Sequence, residues 1–195
     1  GYDFSGTAAE AARVAFAIAK KSRQRVRVVS VMERRFERRL VSNTELFFDG
    51  RSETTRDDAI QRAVLLLEER LTMDVRELRP QGVPYEIDVV RGKPFKELLR
   101  IAGEQSTELL VVGATGLSKT DEWVLGSTAE RLARRALIPT LVVRRDSAWE
   151  PRRILCPLDF STGATLALEE AARLARASAA TLHLLHVVAG TETGE

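Results

Sequence analysis

Three glycines and two hydroxyl residues form the part of the sequence best suited to bind a charged ligand. A short apolar run ends in Gly113-Ala-Thr-Gly116, nine residues follow, and Gly126-Ser127-Thr128 then begins a predicted helix. Glycine permits positive φ and a close approach of the backbone to a ligand. A helix N-terminus offers free amide donors and the positive end of the helix dipole. The segment therefore predicts an anion site, such as a phosphate site, with the hydroxyls of Ser127 and Thr128 as further donors.

The same segment has two other interpretations. Glycines after a strand and before a helix also serve ordinary turns, and that interpretation stays open. Residues 113–120 approach the P-loop pattern G-x4-G-K-[ST], but Ser118 stands where the second glycine is required. A side chain there interferes with the amides that surround a phosphate, which disfavours a P-loop. Lys119 remains a candidate for a contact near the phosphates.

Other reactive side chains are few and poorly placed for chemistry. The single cysteine, Cys156, lies in an apolar run, which favours a core residue. The chain has two histidines, His183 and His186, which lie three residues apart on a predicted strand and so point to opposite faces. No general base adjoins the glycines. We therefore predict no catalytic and no metal-binding residue, and binding rather than efficient hydrolysis.

Strands and helices alternate along the chain. Apolar periodicity predicts strands at residues 25–32, 85–90, 108–112 and 140–144, helices at 8–20, 56–78, 94–105 and 127–136, and a polar loop at 33–55. This alternation implies right-handed crossovers and a parallel sheet that helices cover on both faces. Ligands of such sheets bind beyond the carboxyl ends of the strands, which is where the glycine segment lies.

A second set of residues repeats the first at an offset of 156. Asp3-Phe-Ser5 matches Asp159-Phe-Ser161, and the alanine spacing of the first helix recurs in a helix predicted at 166–177. Strands at 153–158 and 181–188 complete a β-α-β start of a second copy. We expect the first unit to lack its first strand and the chain to be truncated at both ends relative to its repeat. The predicted domains are residues 1–146 and 147–195.

Composition narrows the class of protein. The chain of 195 residues is 44% apolar, 30% charged and 6% aromatic, which is typical of soluble globular proteins. It has 30 basic and 28 acidic residues, and the net charge of +2 gives no strong field for nucleic acid or membrane. One cysteine excludes an internal disulfide. Apolar runs far below the roughly 20 residues that span a bilayer, and no signal peptide, lead us to expect a cytoplasmic protein.

The order and spacing of these residues resemble the universal stress protein family, in particular its adenine-nucleotide-binding branch. Asp3 after the first strand, Ser30-Val31 at the end of the second and Gly113-x2-Gly116-x9-Gly126-Ser127 after the fourth carry the resemblance, together with Ile138-Pro139-Thr-Leu-Val-Val143. The resemblance implies a Rossmann-like α/β fold. Its sheet would be open, parallel and five-stranded, with order 3-2-1-4-5 and helices on both faces. The chain also resembles tandem members, in which two units share one chain.

The resemblance implies a role in nucleotide binding for eight positions. They are Asp3, Val31, Val112, Gly113, Gly116, Gly126, Ser127 and Thr128. The first two would lie at the adenine and ribose end, the next two would line the pocket by backbone contact, and the last four would hold ribose and phosphates. Ala114-Thr115 replaces the His or Arg that is frequent in the family, which removes a cationic contact. Asp3 also suits a helix cap or turn, and Val31 a buried strand position.

Three functions follow as hypotheses. The leading one is a stress-response regulatory protein that binds ATP, with or without Mg²⁺, and acts by ligand-dependent conformation of the loop at 117–125. It would be a homodimer or a pseudo-dimer of tandem domains. The second is a nucleotide-free interaction module that dimerises through its last strand, and the third is a slow ATPase. A further structural alternative is that the strand at 153–158 fills the vacant central position of the first sheet.

Overall fold

Helices and strands alternate throughout the residues that the structure describes. The structure is a computed structural model that describes residues 1–33, 53–104, 107–116, 124–145 and 150–188. The chain divides into two compact units, Gly1–Ser147 and Ala148–Glu195. The first unit contains α1 (Gly6–Ser22), β1 (Val26–Met32), α2 (Glu53–Leu78), β2 (Tyr85–Arg91), α3 (Pro94–Glu104), β3 (Leu110–Gly113), α4 (Ser127–Arg135) and β4 (Thr140–Val143). The second contains β5 (Arg153–Pro157), α5 (Thr162–Ser178) and β6 (Thr181–Leu185). The predicted alternation is confirmed.

Local sequence signals fix both ends of α1. Ser5 is its N-cap, and the Ser5 hydroxyl oxygen accepts a hydrogen bond from the Ala8 amide at 3.1 Å. Arg23 ends the helix in the left-handed conformation, with φ 56°. Between these ends, Ala8 and Ala19 are buried with Phe16, which has no exposed surface. The small alanine side chains let this helix lie close to the strands, as the sequence predicts.

The strands of the first unit form two parallel pairs. β1 pairs with β2 from Val26↔Tyr85 to Met32↔Arg91. β3 pairs with β4 from Leu110↔Thr140 to Gly113↔Val143. The first two residues of the chain connect the pairs, because the Gly1 nitrogen donates to Val111 O at 3.0 Å and the Tyr2 amide donates to Val29 O at 2.8 Å. The predicted parallel arrangement of strands is confirmed. The described strands of the first unit form two pairs, and Gly1 and Tyr2 lie between β1 and β3.

Helices cover both faces of these strands. Val28 belongs to a core cluster with Phe16 of α1 and Leu71 of α2. Its neighbour Val29 points to the other face, because successive strand residues alternate, and packs in a second cluster with residues of α3, β3 and α4. Two separate apolar clusters on opposite faces are what a covered parallel sheet requires. The prediction of helices on both faces is confirmed for the first unit.

The second unit shares two local features with the start of the first. Ser161 caps α5 by accepting from the Ala164 amide at 3.2 Å, and Phe160 has the same φ of 63° as Phe4. β5 pairs in parallel with β6, from Arg153↔Thr181 to Pro157↔Leu185, in a sheet of their own. The alternative that the strand at 153–158 completes the first sheet is therefore wrong. Its ladder partner is the strand that follows α5.

Three helices begin earlier than their apolar periodicity predicts. α1 begins at Gly6 rather than at residue 8. α5 begins at Thr162 rather than at residue 166, because the side chain of Ser161 satisfies a first-turn amide. α2 begins at Glu53 rather than at residue 56. Most of the predicted polar loop, residues 34–52, lies outside the described residues. Among the helices that the structure describes, none has the length and apolar character needed to span a bilayer.

Candidate functional site

Asp3 forms a tight turn at the start of α1. Its Oδ1 accepts hydrogen bonds from the Ser5 amide at 3.1 Å and from the Ser5 hydroxyl at 2.5 Å. Phe4, between them, has φ 63°, in the left-handed region. The second unit has the same turn, in which the Ser161 amide donates to Asp159 Oδ1 at 3.0 Å. These hydrogen bonds lower the pKa of Asp159, with the side-chain bond from Ser161 as the largest cause. Asp3 and Asp159 therefore each stabilise a turn before the helix of their unit.

The residue before Asp3 fixes the turn against α2. The Tyr2 hydroxyl donates to Asp74 Oδ2 at 2.9 Å, and Arg70 Nε donates to Asp74 Oδ1 at 3.0 Å. The Tyr2 ring also contacts the Phe4 ring edge to face, with centroids 5.3 Å apart. Burial, followed by the hydrogen bond to Asp74, raises the pKa of Tyr2. The un-ionised phenol is therefore a structural support for the segment that carries Asp3.

The glycine turn, which we define as residues 113–116, lies beside Asp3. A Cβ atom added to Gly116 would be 2.8 Å from Asp3 Oδ2. The exposed Asp3 carboxylate therefore keeps Oδ1 for its own turn and presents Oδ2 to the glycine turn. Two residues that are 113 positions apart in sequence, Asp3 and Gly116, are thus brought into contact distance.

Gly126 closes the site from the other side. Its amide donates to Ala114 O at 2.7 Å, and the Ala114 amide donates to Val143 O at the same distance. A Cβ atom on Gly126 would lie 3.3 Å from Ala114 O and 3.7 Å from the Gly116 nitrogen. The backbone of Gly126 therefore packs directly on the glycine turn. Gly116 and Gly126, on either side of the predicted loop, therefore lie close together. Residues 117–123, including Lys119, lie outside the described residues.

The glycines serve close approach rather than positive φ. The described glycines with positive φ are Gly82 and Gly92, whereas Gly126 has φ −64°. Of the two properties that glycine permits, positive φ and close approach, the described loop glycines use the second. Gly113 shows the reason for glycine most clearly, since its Cβ would lie 2.8 Å from the carbonyl carbon and Oγ1 of Thr7. These atoms belong to the first turn of α1, which could not approach β3 past a side chain.

The N-terminus of α4 faces this turn without a side-chain cap. Gly126 is the N-cap and makes no side-chain hydrogen bond, and the Glu130 amide makes the first helical bond, to Gly126 O at 3.0 Å. The amides of residues 127–129 therefore have no partner within the helix. Ser127 is exposed and Thr128 half-buried. Free amides at the positive end of a helix dipole can bind an anion.

The two predicted valines are core residues in the structure. Val112 is buried and Val31 half-buried, and both pack in the cluster that includes Leu98 of α3. For Val31 this matches the buried-strand interpretation. The structure thus brings together Asp3, Gly116, Gly126 and the start of α4, and gives Val31 and Val112 an apolar setting behind them.

Two hydroxyl residues of the site were missed as such by sequence reasoning. Ser5 and Thr7 are buried, and both have hydroxyl oxygens within hydrogen-bond distance of Thr115 O. Ser5 belongs to the repeated Asp-Phe-Ser triplet, which was a detectable signal. Thr7 carries no signal of this kind because its counterpart in the repeat is Gly163. Among the described residues, no group of three His, Cys, Asp or Glu side chains is placed to hold a metal ion.

These features define a class of protein. Parallel strands with helices on both faces, a glycine turn at their carboxyl edge and an uncapped helix N-terminus beside it describe an α/β domain with a candidate site at that edge. The universal stress protein family model matches residues 1–144 and 150–195. The chain belongs to the universal stress protein family.

One curated protein and two solved structures illustrate what the chain is similar to. Universal stress protein MJ0531 of Methanocaldococcus jannaschii is 34% identical over 64 residues, which are 33% of this chain and 38% of that protein. The chain thus spans about two fifths of the length of the curated relatives that it matches. A universal stress protein structure from Archaeoglobus fulgidus has 20% identity and a TM-score of 0.63, over 96% of this chain and 65% of that one. A universal stress protein in complex with cAMP aligns at 22% identity with a TM-score of 0.48, over 75% of this chain and 94% of that one.

Proposed function

We propose that the first unit binds an adenine nucleotide, with ATP as the ligand, and that the protein acts in the stress response through the occupancy of this site. The observation that carries the proposal is the meeting of Gly116, Gly126 and Asp3 at the uncapped N-terminus of α4. Binding rather than turnover is the proposed activity. The nucleotide is taken either free or as its Mg²⁺ complex.

The proposed binding position of the phosphates has the strongest support. Three amides at the start of α4 and the hydroxyls of Ser127 and Thr128 are donors that an anion can use. The glycines on either side present backbone instead of side chains, so a phosphate oxygen can come within hydrogen-bond distance of the amides. Gly116 and Gly126 are therefore assigned to the phosphates and ribose together with Ser127 and Thr128. Gly113 serves mainly to let α1 approach.

The adenosine end is assigned to the residues around Asp3. Its Oδ2 is the carboxylate oxygen that faces the glycine turn, and a carboxylate can accept from ribose hydroxyls or from the adenine amino group. Val31 and the backbone of Val112 and Gly113 complete this end, as the family resemblance implies. The apolar cluster behind the valines suits an adenine ring better than it suits a charged group.

The proposed sheet is one five-stranded parallel sheet of order 3-2-1-4-5. Its support is the position of Gly1 and Tyr2, which donate to Val111 O in β3 and to Val29 O in β1. They lie where a central strand would join the two observed pairs. We assign residues 1–146 and 147–195 to two tandem domains of one type, because Asp3-Phe-Ser5 and Asp159-Phe-Ser161 form the same turn. A homodimer or a pseudo-dimer of tandem domains is the proposed assembly.

Valine substitutions at Gly116 and Gly126 test the proposal. Gly116→Val places methyl groups against Asp3, and Gly126→Val places them against Ala114 O. We expect each variant to lose ATP affinity by at least about tenfold, which is about 1.4 kcal/mol, in titration calorimetry with and without Mg²⁺. Gly103→Ala is the matched control, because nothing lies within 4 Å of the added atom.

Each outcome has a distinct meaning. Unchanged ATP affinity in both valine variants, with folding verified by circular dichroism, would overturn the proposed site. Absence of any ATP binding by the wild-type protein would favour the nucleotide-free dimerising module. Release of ADP by the wild-type protein, lost in Gly116→Val, would favour slow hydrolysis over simple binding.

A further inference from the structure

Two buried hydroxyls connect α1 to the glycine turn. The Ser5 and Thr7 hydroxyl oxygens lie 3.1 Å apart in the first turn of the helix. Thr7 Oγ1 forms a short hydrogen bond with Thr115 O, and Ser5 Oγ lies 3.4 Å from the same oxygen. Ser5 Oγ is also 2.5 Å from Asp3 Oδ1. The hydroxyls therefore lie between the Asp3 carboxylate and the turn that faces it.

Counting protons decides which hydroxyl holds the turn. Each hydroxyl donates one proton, and the two acceptors are Asp3 Oδ1 and Thr115 O. The shorter contacts pair Ser5 with Asp3 and Thr7 with Thr115 O. Ser5 Oγ also accepts from the Ala8 amide at 3.1 Å. Thr7 is therefore the donor that holds the Thr115 carbonyl.

The orientation of that carbonyl sets the direction of the next amide. The peptide bond between Thr115 and Gly116 is trans, since the described residues contain no cis peptide. In a trans peptide the C=O and N–H bonds point in opposite directions. With Thr115 O held by α1, the Gly116 N–H is directed away from that helix. The Gly116 nitrogen lies 3.7 Å from the Cβ position of Gly126, at the start of α4.

The second unit has the same turn but lacks this donor. The Ser161 amide donates to its aspartate and the Ser161 hydroxyl accepts from a helix amide, as in Ser5. The residue at the position of Thr7 is Gly163, which has no hydroxyl. The Asp-Phe-Ser turn therefore forms without Thr7. What Thr7 adds in the first unit is the bond to the glycine turn.

We propose that Thr7 is a positioning residue of the nucleotide site, which directs the Gly116 amide toward a phosphate or ribose oxygen of the ligand. This inference rests on the proposed function of the site. It assigns Thr7 no contact with the nucleotide, because its hydroxyl proton goes to Thr115 O. It also distinguishes the first unit from the second, whose Gly163 cannot hold a carbonyl in this way.

The test compares variants that differ in the hydroxyl. Thr7→Val keeps the shape without the hydroxyl, and Thr7→Ser keeps the hydroxyl. The control is Thr72→Val, because Thr72 Oγ1 bonds to Glu68 O in its own helix, α2, at 2.7 Å. ATP titration should show about tenfold weaker binding in Thr7→Val, the scale of one hydrogen bond, with Thr7→Ser and Thr72→Val within about twofold of the wild type.

A second measurement needs no nucleotide. In ¹⁵N–¹H spectra of the unliganded protein, the Gly116 amide should shift in Thr7→Val and keep its position in Thr7→Ser. Wild-type affinity in Thr7→Val, or equal weakening in Thr7→Val and Thr7→Ser, would overturn the inference. If the wild type binds no ATP, the proposed function fails; an unmoved Gly116 amide in Thr7→Val then refutes the geometry separately. Thr7→Ala replaces Thr7→Val if the latter does not fold.

Discussion

Replacement of Gly113 by alanine should destabilise the protein by about 2 kcal/mol. The added methyl carbon would lie 2.8 Å from two atoms of Thr7 and 2.9 Å from the Ala8 nitrogen, whereas ordinary contacts begin near 3.4 Å. Two of these three atoms are backbone atoms of α1, so the helix itself must move by roughly half an ångström. Overpacking of this kind costs about 1–3 kcal/mol.

Two smaller effects act in opposite directions. Moving α1 outward stretches the bond from Thr7 to Thr115 O, which adds about 1 kcal/mol to the loss. Alanine also restricts the unfolded chain, which returns about 0.5–1 kcal/mol. The net loss of about 2 kcal/mol is measurable against a typical total stability of about 5–15 kcal/mol.

Urea unfolding followed by far-ultraviolet circular dichroism measures this difference. The unfolding midpoint of Gly113→Ala should fall while the slope stays constant. Gly103→Ala is the matched control, because Gly103 is exposed in α3 and the added methyl carbon would meet no atom of another segment within 4 Å. Alanine favours a helix over glycine, so this control should gain about 0.5–1 kcal/mol. A midpoint for Gly113→Ala at or above the wild-type value would refute the packing explanation for this glycine.

Two further predictions concern the supports of the site. The raised pKa of Tyr2 means that its un-ionised phenol contributes stability in full below the unfolded-state pKa of about 10, and this stability is lost as the pH rises through the higher folded-state pKa. The melting temperature of Tyr2→Phe should therefore fall less than that of the wild type when the pH is raised from about 9 to about 11. Equal decreases in melting temperature would contradict the role of Asp74. Leu71 of α2 is fully buried in the core cluster with Phe16, so Leu71→Ala should cost about 2–5 kcal/mol in urea unfolding. A loss below about 1 kcal/mol would show that α2 packs less tightly than described.

The sequence predicts the fold where a signal is periodic or repeated. Alternating apolar segments predict the positions of the strands and helices. The repeat at an offset of 156 residues relates the turn at Asp159 to the turn at Asp3. Helix starts are less accurate, because caps act through single side chains such as Ser161 and not through periodicity.

The candidate site is likewise predicted only where the sequence carries a detectable signal. Gly116 and Gly126 could be placed at the carboxyl edge of the parallel sheet because ligands bind there, whereas Asp3 was assigned to the same site by the family resemblance. The reason for each glycine could not be predicted, since close approach depends on a distant segment. Gly113 lacks a side chain because Thr7 lies against it, more than 100 residues away in sequence. Thr7 itself has no repeated partner that would have marked it.

The central claim, nucleotide binding at the glycine turn, is tested most directly by identifying what the intact protein carries. Small molecules released from protein purified without added nucleotide can be measured by mass spectrometry, for the wild type and for Gly116→Val. We predict an adenine nucleotide with the wild type and its loss from the folded Gly116→Val variant. Equal amounts in both proteins, or no adenine nucleotide with the wild type, would contradict the claim.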